Sequence, residues 1–218
     1  MHTELQGLGR LLPPQTWNKL LAEGAARRFS EGELLLRQGD AGTHVLLLTS
    51  GHIKVTRLEP DGEELLLAVR GPGEVIGELA VLDESTRSAN VLALTQCITY
   101  VLAASRFRRI LTEFDVEGMV LRHVIGRYRE GEEVRAELAE LPAEGRVARV
   151  LLRFASAVGG PRPVLCLSQD ELAGAAGLSR AAFAAELGKL RERNVVATGR
   201  RRVTICDPAR LRETLPSG

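Results

Sequence analysis

Gly77-Glu78-Leu79-Ala80 follows the strand-like pair Val75-Ile76, and Arg87-Ser88-Ala89 begins nine residues beyond Glu78. These residue types can hold an anion that also carries a hydroxyl. Gly77 allows close backbone approach, and a helical turn starting there aims unpaired N–H groups at negative charge. Arg87 offers a planar fork that matches two phosphate oxygens, and Ser88 adds a hydroxyl donor. Glu78 is an acceptor suited to a sugar hydroxyl, and beside a phosphate it needs Arg87 to compensate its charge. Taken alone, the stretch also reads as a surface salt bridge beside a turn.

A second constellation lies near the C-terminus. Ser168-x-x-Glu171 is a capping box that starts a helix. Gly177 permits a tight turn, and Ser179 can cap a second helix that buries Phe183, Leu187 and Leu190. Two short helices joined around a glycine form the helix-turn-helix pattern, whose second helix enters a major groove. Val195–Ile205 then reads as a hairpin, or wing, with Arg200, Arg201 and Arg202 at its tip for phosphates. An unrelated helical bundle is the alternative for this segment by itself.

The elements that must position these groups follow from periodicity. From Phe29 to Val101 short apolar runs alternate with Gly- and Asp-bearing turns, which predicts an antiparallel sandwich or barrel. A short helix over Pro14–Glu23 precedes it. After Ser105 the spacing becomes helical, and one long helix is expected from about Asp115 to Leu141, stopped by Pro142. Its apolar seam runs through Val116, Val120, Val124, Val134, Leu138 and Leu141, and weakens around Arg127 and Gly131. So narrow a seam suggests a partner helix, hence a dimer, with packing on its own domain as the alternative and both compatible on different faces.

The chain has 218 residues, of which 44% are hydrophobic and 26% charged, enough apolar content to build a core and exclude disorder. No apolar run approaches the roughly 18 residues of a membrane span. The opening MHTELQGLGR lacks the apolar stretch of a signal peptide, so a soluble, cytoplasmic protein with no membrane partner is expected. Cys97, Cys166 and Cys206 are too scattered for a disulfide framework or a metal cluster and read as small buried hydrophobes. The net charge of +1 conceals a division. Residues 1–141 carry 16 Lys and Arg against 21 Asp and Glu, a balance of −5, whereas residues 142–218 carry 13 against 7, a balance of +6. The basic segment is the one suited to nucleic acid.

Phe29-x-x-Gly32-Glu33-x-Leu35, Gln38-Gly39-Asp40, Gly51-x-Ile53-Lys54-Val55, Gly71-x-Gly73-Glu74-x-x-Gly77-Glu78-Leu79-Ala80 and Arg87-Ser88-Ala89 together resemble the cyclic-nucleotide-binding domain. The resemblance implies that Glu78 holds the ribose 2′-hydroxyl and Arg87 the cyclic phosphate. Ser88 and the amides near Leu79 and Ala80, after Gly77, would complete the phosphate contacts. Joined to the basic segment, the order resembles the Crp/Fnr family of bacterial transcription regulators nearly end to end.

That likeness implies an α+β fold in three parts. An antiparallel β-roll (a double-stranded β-helix) in residues 1–112 would bind cAMP or cGMP as an allosteric ligand. A long dimerisation helix would span residues 113–141, and a winged helix-turn-helix in residues 142–218 would bind double-stranded DNA. The implied partners are a second copy of the chain, DNA, the nucleotide, and RNA polymerase through the Val158–Pro163 loop. Ser168, Gln169 and Ser179 are placed near phosphates and Arg180 at a base edge, where arginine reads guanine. No nucleophile–base constellation appears, so binding and not catalysis is expected.

Two departures stand out. The cAMP receptor subfamily carries Glu and Arg further along the recognition helix, where this chain has Ala181 and Ala185. That subfamily holds adenine through adjacent Thr and Ser on the long helix, yet no Ser or Thr occurs from Glu113 to Ala155, and the matching pair is Gly131-Glu132. A carboxylate suits the N–H donors of guanine, so cGMP is expected to be tolerated or preferred, with Glu132 as acceptor and Ser88 as a second contact, the alternative being a solvated Glu130, Glu132, Glu133 run. The N-terminus lacks the cysteines of an iron–sulfur sensor, and His44, His52 and His123 show no haem-ligand context. A nucleotide-independent regulator and a protein-binding module remain alternative readings.

Overall fold

Short apolar runs between Gly and Asp turns become strands, as their spacing requires. The computed structural model describes residues 5–215. It begins with helices α1 (Gly7–Leu11) and α2 (Pro14–Glu23). Strands β1 (Ala25–Phe29), β2 (Leu34–Leu36), β3 (His44–Ser50), β4 (Ile53–Leu58), β5 (Glu64–Arg70) and β6 (Val75–Ile76) follow. A short helix, α3 (Glu78–Leu82), precedes β7 (Asn90–Ala93) and β8 (Cys97–Ala103), and then come α4 (Ala104–Glu113) and the long α5 (Glu117–Glu140).

Strands β1, β8, β3 and β6 form one antiparallel sheet in that order, with Leu46 opposite both Val101 and Ile76. In the facing sheet β7 lies between β2 and β4, with Val55 opposite Val91. The run Val45-Leu46-Leu47-Leu48 has no polar position, and such a strand needs cover on both faces. Leu46 and Leu48 meet Phe29, Ile53, Ile76 and Val91 in one core cluster. Val45 and Leu47 turn the other way, into a cluster with Trp17, Leu20, Phe107, Ile110, Val116 and Val120.

The basic segment forms α6 (Ala143–Val158), β9 (Val164–Leu165), α7 (Gln169–Ala175), α8 (Arg180–Glu192), β10 (Val196–Gly199), β11 (Arg202–Ile205) and α9 (Pro208–Arg212). Strands β10, β11 and β9 pair antiparallel in that order. Phe154, Phe183, Leu187, Leu190, Leu172 and Ile205 are all buried, which confirms the inward faces expected of the two short helices. The fold is thus an antiparallel β-sheet domain, a long helix and a C-terminal helix-turn-helix with a β wing.

Residues through 58 with 70–130 form one compact unit, and residues 59–69 with those from 131 onward form the other. The division falls inside α5 at Gly131, not at Pro142 where the charge balance changes. Part of the seam expected to meet a partner helix is covered by the chain itself. Val116 and Val120 are 2% and 1% exposed in the first unit's own core, and Val134 is buried too. The large apolar residues that α5 exposes are Leu121, Ile125 and Tyr128, four and three positions apart on a different face. Among the described residues no helix is long and apolar enough to cross a membrane.

Candidate functional site

Gly77 caps the N-terminus of α3 in the left-handed conformation, with φ 82°. A β-carbon there would stand 2.4 Å from Arg87 Nη1 and 2.9 Å from Leu36 Cδ1, so only glycine lets the turn close over the arginine. Gly77, Glu78, Leu79, Ala80, Arg87 and Ser88 all line one cavity of about 80 Å³ in the first unit. The six residues grouped from the sequence therefore do converge.

Arg87 is only 4% exposed. Its Nη1 donates to the Gly77 carbonyl at 2.6 Å and its Nη2 to the His44 carbonyl. Its backbone is pinned as well, with Arg87 N donating to Asp40 O and Gly39 N donating to Arg87 O. Burial pushes the guanidinium below its ordinary pKa while Glu78 and Asp40 oppose the shift, and it stays charged at neutral pH. On its other side lies a cleft of about 410 Å³ formed by β2, the 37–43 loop and His44.

Glu78, 4% exposed, is held by Arg127 of α5, whose Nη1 donates to Glu78 Oε1 at 2.9 Å. Arg127 also lines the cavity, and sequence reasoning does not select it. The signal was the weakening of the apolar seam at Arg127, since a buried carboxylate must find a cation. Behind this pair sits Glu74, a further buried acid of the lining. Its Oε1 lies 3.9 Å from Arg70 Nε, and its Oε2 lies 3.7 Å from His123 Nε2 and 3.9 Å from Arg127 Nη1. Burial pushes the Glu74 carboxyl up, but His123, Arg127 and Arg70 outweigh it and hold the group below its ordinary value. The site thus places two carboxylates (Glu74, Glu78), three arginines (Arg70, Arg87, Arg127) and the N-terminal turn of α3 around a space of about 80 Å³.

Glu132 belongs to the second unit, where it pairs with Arg135 at 2.6 Å and keeps about half its side chain exposed. Its carboxylate already has a cation.

The second unit also builds the helix-turn-helix from local chemistry. Ser168 Oγ accepts from Glu171 N at 3.2 Å while Ser168 N donates to Glu171 Oε2 at 2.7 Å, completing the capping box. Gly177 turns the chain with φ 61°, and Ser179 Oγ accepts from Ala182 N to cap α8. Ser168 and Ser179 thus spend their side chains on caps, and Gln169 opens α7 half-buried. Arg180 opens α8 on the surface, 3.4 Å from Asp170 through its Nε. Arg200 and Arg201 form the two-residue tip between β10 and β11, and Arg201 Nη2 lies 3.7 Å from Glu171 Oε2, linking the wing to the start of α7.

Comparison with known proteins matches both constellations. A family model described as the cyclic nucleotide-binding domain matches residues 26–114, and one described as a Crp-like helix-turn-helix domain matches residues 145–214. The chain is 29% identical to the cyclic AMP receptor protein of Thermus thermophilus over 203 residues, 93% of each chain. It is likewise 29% identical over 189 residues, 84% of each chain, to the CRP-like cAMP-activated global transcriptional regulator of Mycobacterium tuberculosis. Among solved structures, FixK2 from Bradyrhizobium japonicum superposes with a TM-score of 0.75 over 89% of this chain and 98% of that one. At 18% identity that likeness is one of fold.

Proposed function

Because the chain belongs to the Crp/Fnr family of transcription regulators, we propose that its DNA binding answers to a cyclic nucleotide, cAMP or cGMP. The observation that carries this reading is the convergence of Gly77, Glu78, Leu79, Ala80, Arg87 and Ser88 on one cavity. Arg87, Ser88 and the amides of Leu79 and Ala80 would take the cyclic phosphate, and Glu78 the ribose hydroxyl. Residues 1–112 act as the sensor, 113–141 as the dimerisation helix and 142–218 as the DNA reader. Ser168, Gln169, Ser179, Arg200 and Arg201 meet phosphates and Arg180 a base edge. The activity is binding, with no catalytic step.

The route from ligand to helix is chemical. A ribose hydroxyl donating to Glu78 competes with Arg127, and a phosphate competes with the Gly77 and His44 carbonyls for Arg87. Arg127 rides on α5, so ligand binding changes the charge balance of that helix and can favour one of its positions over another. The exposed Leu121, Ile125 and Tyr128 supply the apolar face for a second copy. A dimer then sets two recognition helices about 34 Å apart, one DNA turn. The Val158–Pro163 loop is the proposed polymerase contact.

Calorimetric titration with cAMP and cGMP, alongside duplex binding without ligand and with each nucleotide, tests the reading. Nucleotide should strengthen duplex binding, and Arg87→Leu should remove the response while duplex binding without ligand persists. Ser88→Ala, at an exposed position, should weaken nucleotide binding without moving the unfolding transition. Undiminished nucleotide-dependent DNA binding in Arg87→Leu rejects the mechanism. Tight cAMP binding with negligible cGMP binding removes Glu132 as a guanine acceptor.

A second reading, regulation without a cyclic nucleotide, draws on the size of the cavity. At about 80 Å³ it falls well short of the roughly 300 Å³ at which small-molecule sites begin, and its arginine and carboxylate are already satisfied internally. Absence of heat with either nucleotide, with duplex binding intact, selects that reading.

A further inference from the structure

The recognition helix carries little with which to read bases. After Arg180, the exposed positions of its first half are Ala181, Ala184 and Ala185. Further along, Lys189 Nζ donates to both Glu186 carboxylate oxygens, at 2.8 and 2.9 Å, so that pair is occupied with itself. Direct hydrogen-bond readout by the first half of α8 therefore falls on one long side chain, Arg180, and the direction in which its guanidinium points decides what is read.

Asp170 is the charged group that lies beside Arg180. It is the second residue of α7, and its Oδ1 lies 3.4 Å from Arg180 Nε across the helix-turn-helix. Both side chains are largely exposed, at 73% for Arg180 and 61% for Asp170, so the pair adds little to stability. An acid near the N-terminus of α7 also favours that helix, which is its plain structural role. Contact through Nε has a further effect. A carboxylate held at Nε would restrain the inner edge of the guanidinium and leave the Nη1–Nη2 fork available to N7 and O6 of guanine. A carboxylate facing a phosphate backbone lowers general attraction at the same time.

We propose that Asp170 is a positioning residue for base readout, which holds Arg180 in the orientation that selects guanine and trades non-specific affinity for specificity. This rests on the reading of α8 as the recognition helix.

The test is selection of binding sites from a random duplex library by the full chain, with saturating cyclic nucleotide and without it. Wild type, Asp170→Asn, Asp170→Glu and Arg180→Ala are compared, and affinity for unselected duplex is measured against salt for each. Wild-type sites should share a guanine column in each half-site, and Arg180→Ala should lose it. Asp170→Asn should weaken the guanine preference about tenfold while tightening binding to unselected duplex. Asp170→Glu, which keeps the carboxylate, should restore the preference, and the unfolding temperature should stay within about 2–4 °C of wild type throughout, the small loss in Asp170→Asn reflecting its place in the first turn of α7. An undiminished guanine column in Asp170→Asn, with all duplexes bound more tightly by the same factor, would make Asp170 a mere repulsive charge and overturn the inference. Failure of the wild type to enrich any sequence would overturn the recognition-helix reading itself, and the role of Asp170 with it.

Discussion

Arg87 meets two demands at once: it is buried among backbone carbonyls, and it is the cation that the proposed ligand needs. Both can hold because the Gly77 and His44 carbonyls keep the guanidinium hydrogen-bonded without neutralising it. The same economy explains Glu74, whose folded-state pKa is held below its ordinary value of 4.5. Its proton is bound more weakly in the native state than in the unfolded chain. The stability it contributes is therefore complete above about pH 4.5 and is lost as pH falls through the native value. His44 acts with the same sign at higher pH, since burial and the Arg87 charge depress it below 6.5 and protonation favours the unfolded chain. Unfolding midpoints measured from pH 7 to pH 3 should decline from about 6.5 downward. His44→Gln should flatten the upper part of that decline and Glu74→Gln the part below 4.5. Profiles that superpose on wild type for both variants would contradict these assignments.

At the scale of elements, the two turns that deliver site residues differ in how tightly they are enclosed. At Gly177, with φ 61°, an added β-carbon would meet no atom nearer than 3.7 Å, so Gly177→Ala should cost only backbone strain, about 1 kcal/mol. Gly77→Ala brings strain and collision together, because Arg87 cannot retreat without losing its carbonyl partners. A cost of about 2–4 kcal/mol is expected. Denaturant unfolding of the two variants checks the ranking, which fails if Gly177→Ala is the costlier. Much at this scale is readable from sequence. The Ser168–Glu171 capping box and the Ser179 cap depend on residues three apart, and Phe183, Leu187 and Leu190 declare their face by helical spacing. Helix α9 is absent from the sequence-based expectations, although Asp207 and Pro208 mark its start as cap and first residue.

For the whole molecule, the net charge of +1 misleads until it is divided, because an acidic segment over residues 1–141 and a basic helix-turn-helix segment over residues 142–218 nearly cancel. Periodicity alone does not separate a seam for a partner helix from one that packs on its own domain. The seam through Val116 and Val120 satisfies the pattern for a partner helix but is consumed by the chain's own core. The free face is Leu121, Ile125 and Tyr128. Leu121→Glu combined with Ile125→Glu should convert a dimer to monomers in sedimentation velocity, while near-ultraviolet dichroism and the unfolding transition stay close to wild type. Persistence of the dimer in that double variant would place the interface elsewhere.

By itself the sequence determined what is local or rigidly spaced: the strand rhythm from Phe29 to Val101, the glycine turns, the helix caps, the charge division and the grouping of Gly77–Ala80 with Arg87 and Ser88. Those features need only neighbours or a fixed loop, so residue type and interval suffice. Tertiary structure alone decided which cation answers Glu78, which face of α5 remains exposed, and where the Arg180 side chain is held. Glu78 and Arg127 are separated by 49 residues, and Val120 and Leu121 are adjacent yet buried and exposed respectively. Distant charges meet, and adjacent side chains part, only once the sheets have brought their helices to one place, and no periodicity within a helix encodes which of its faces the rest of the chain will cover.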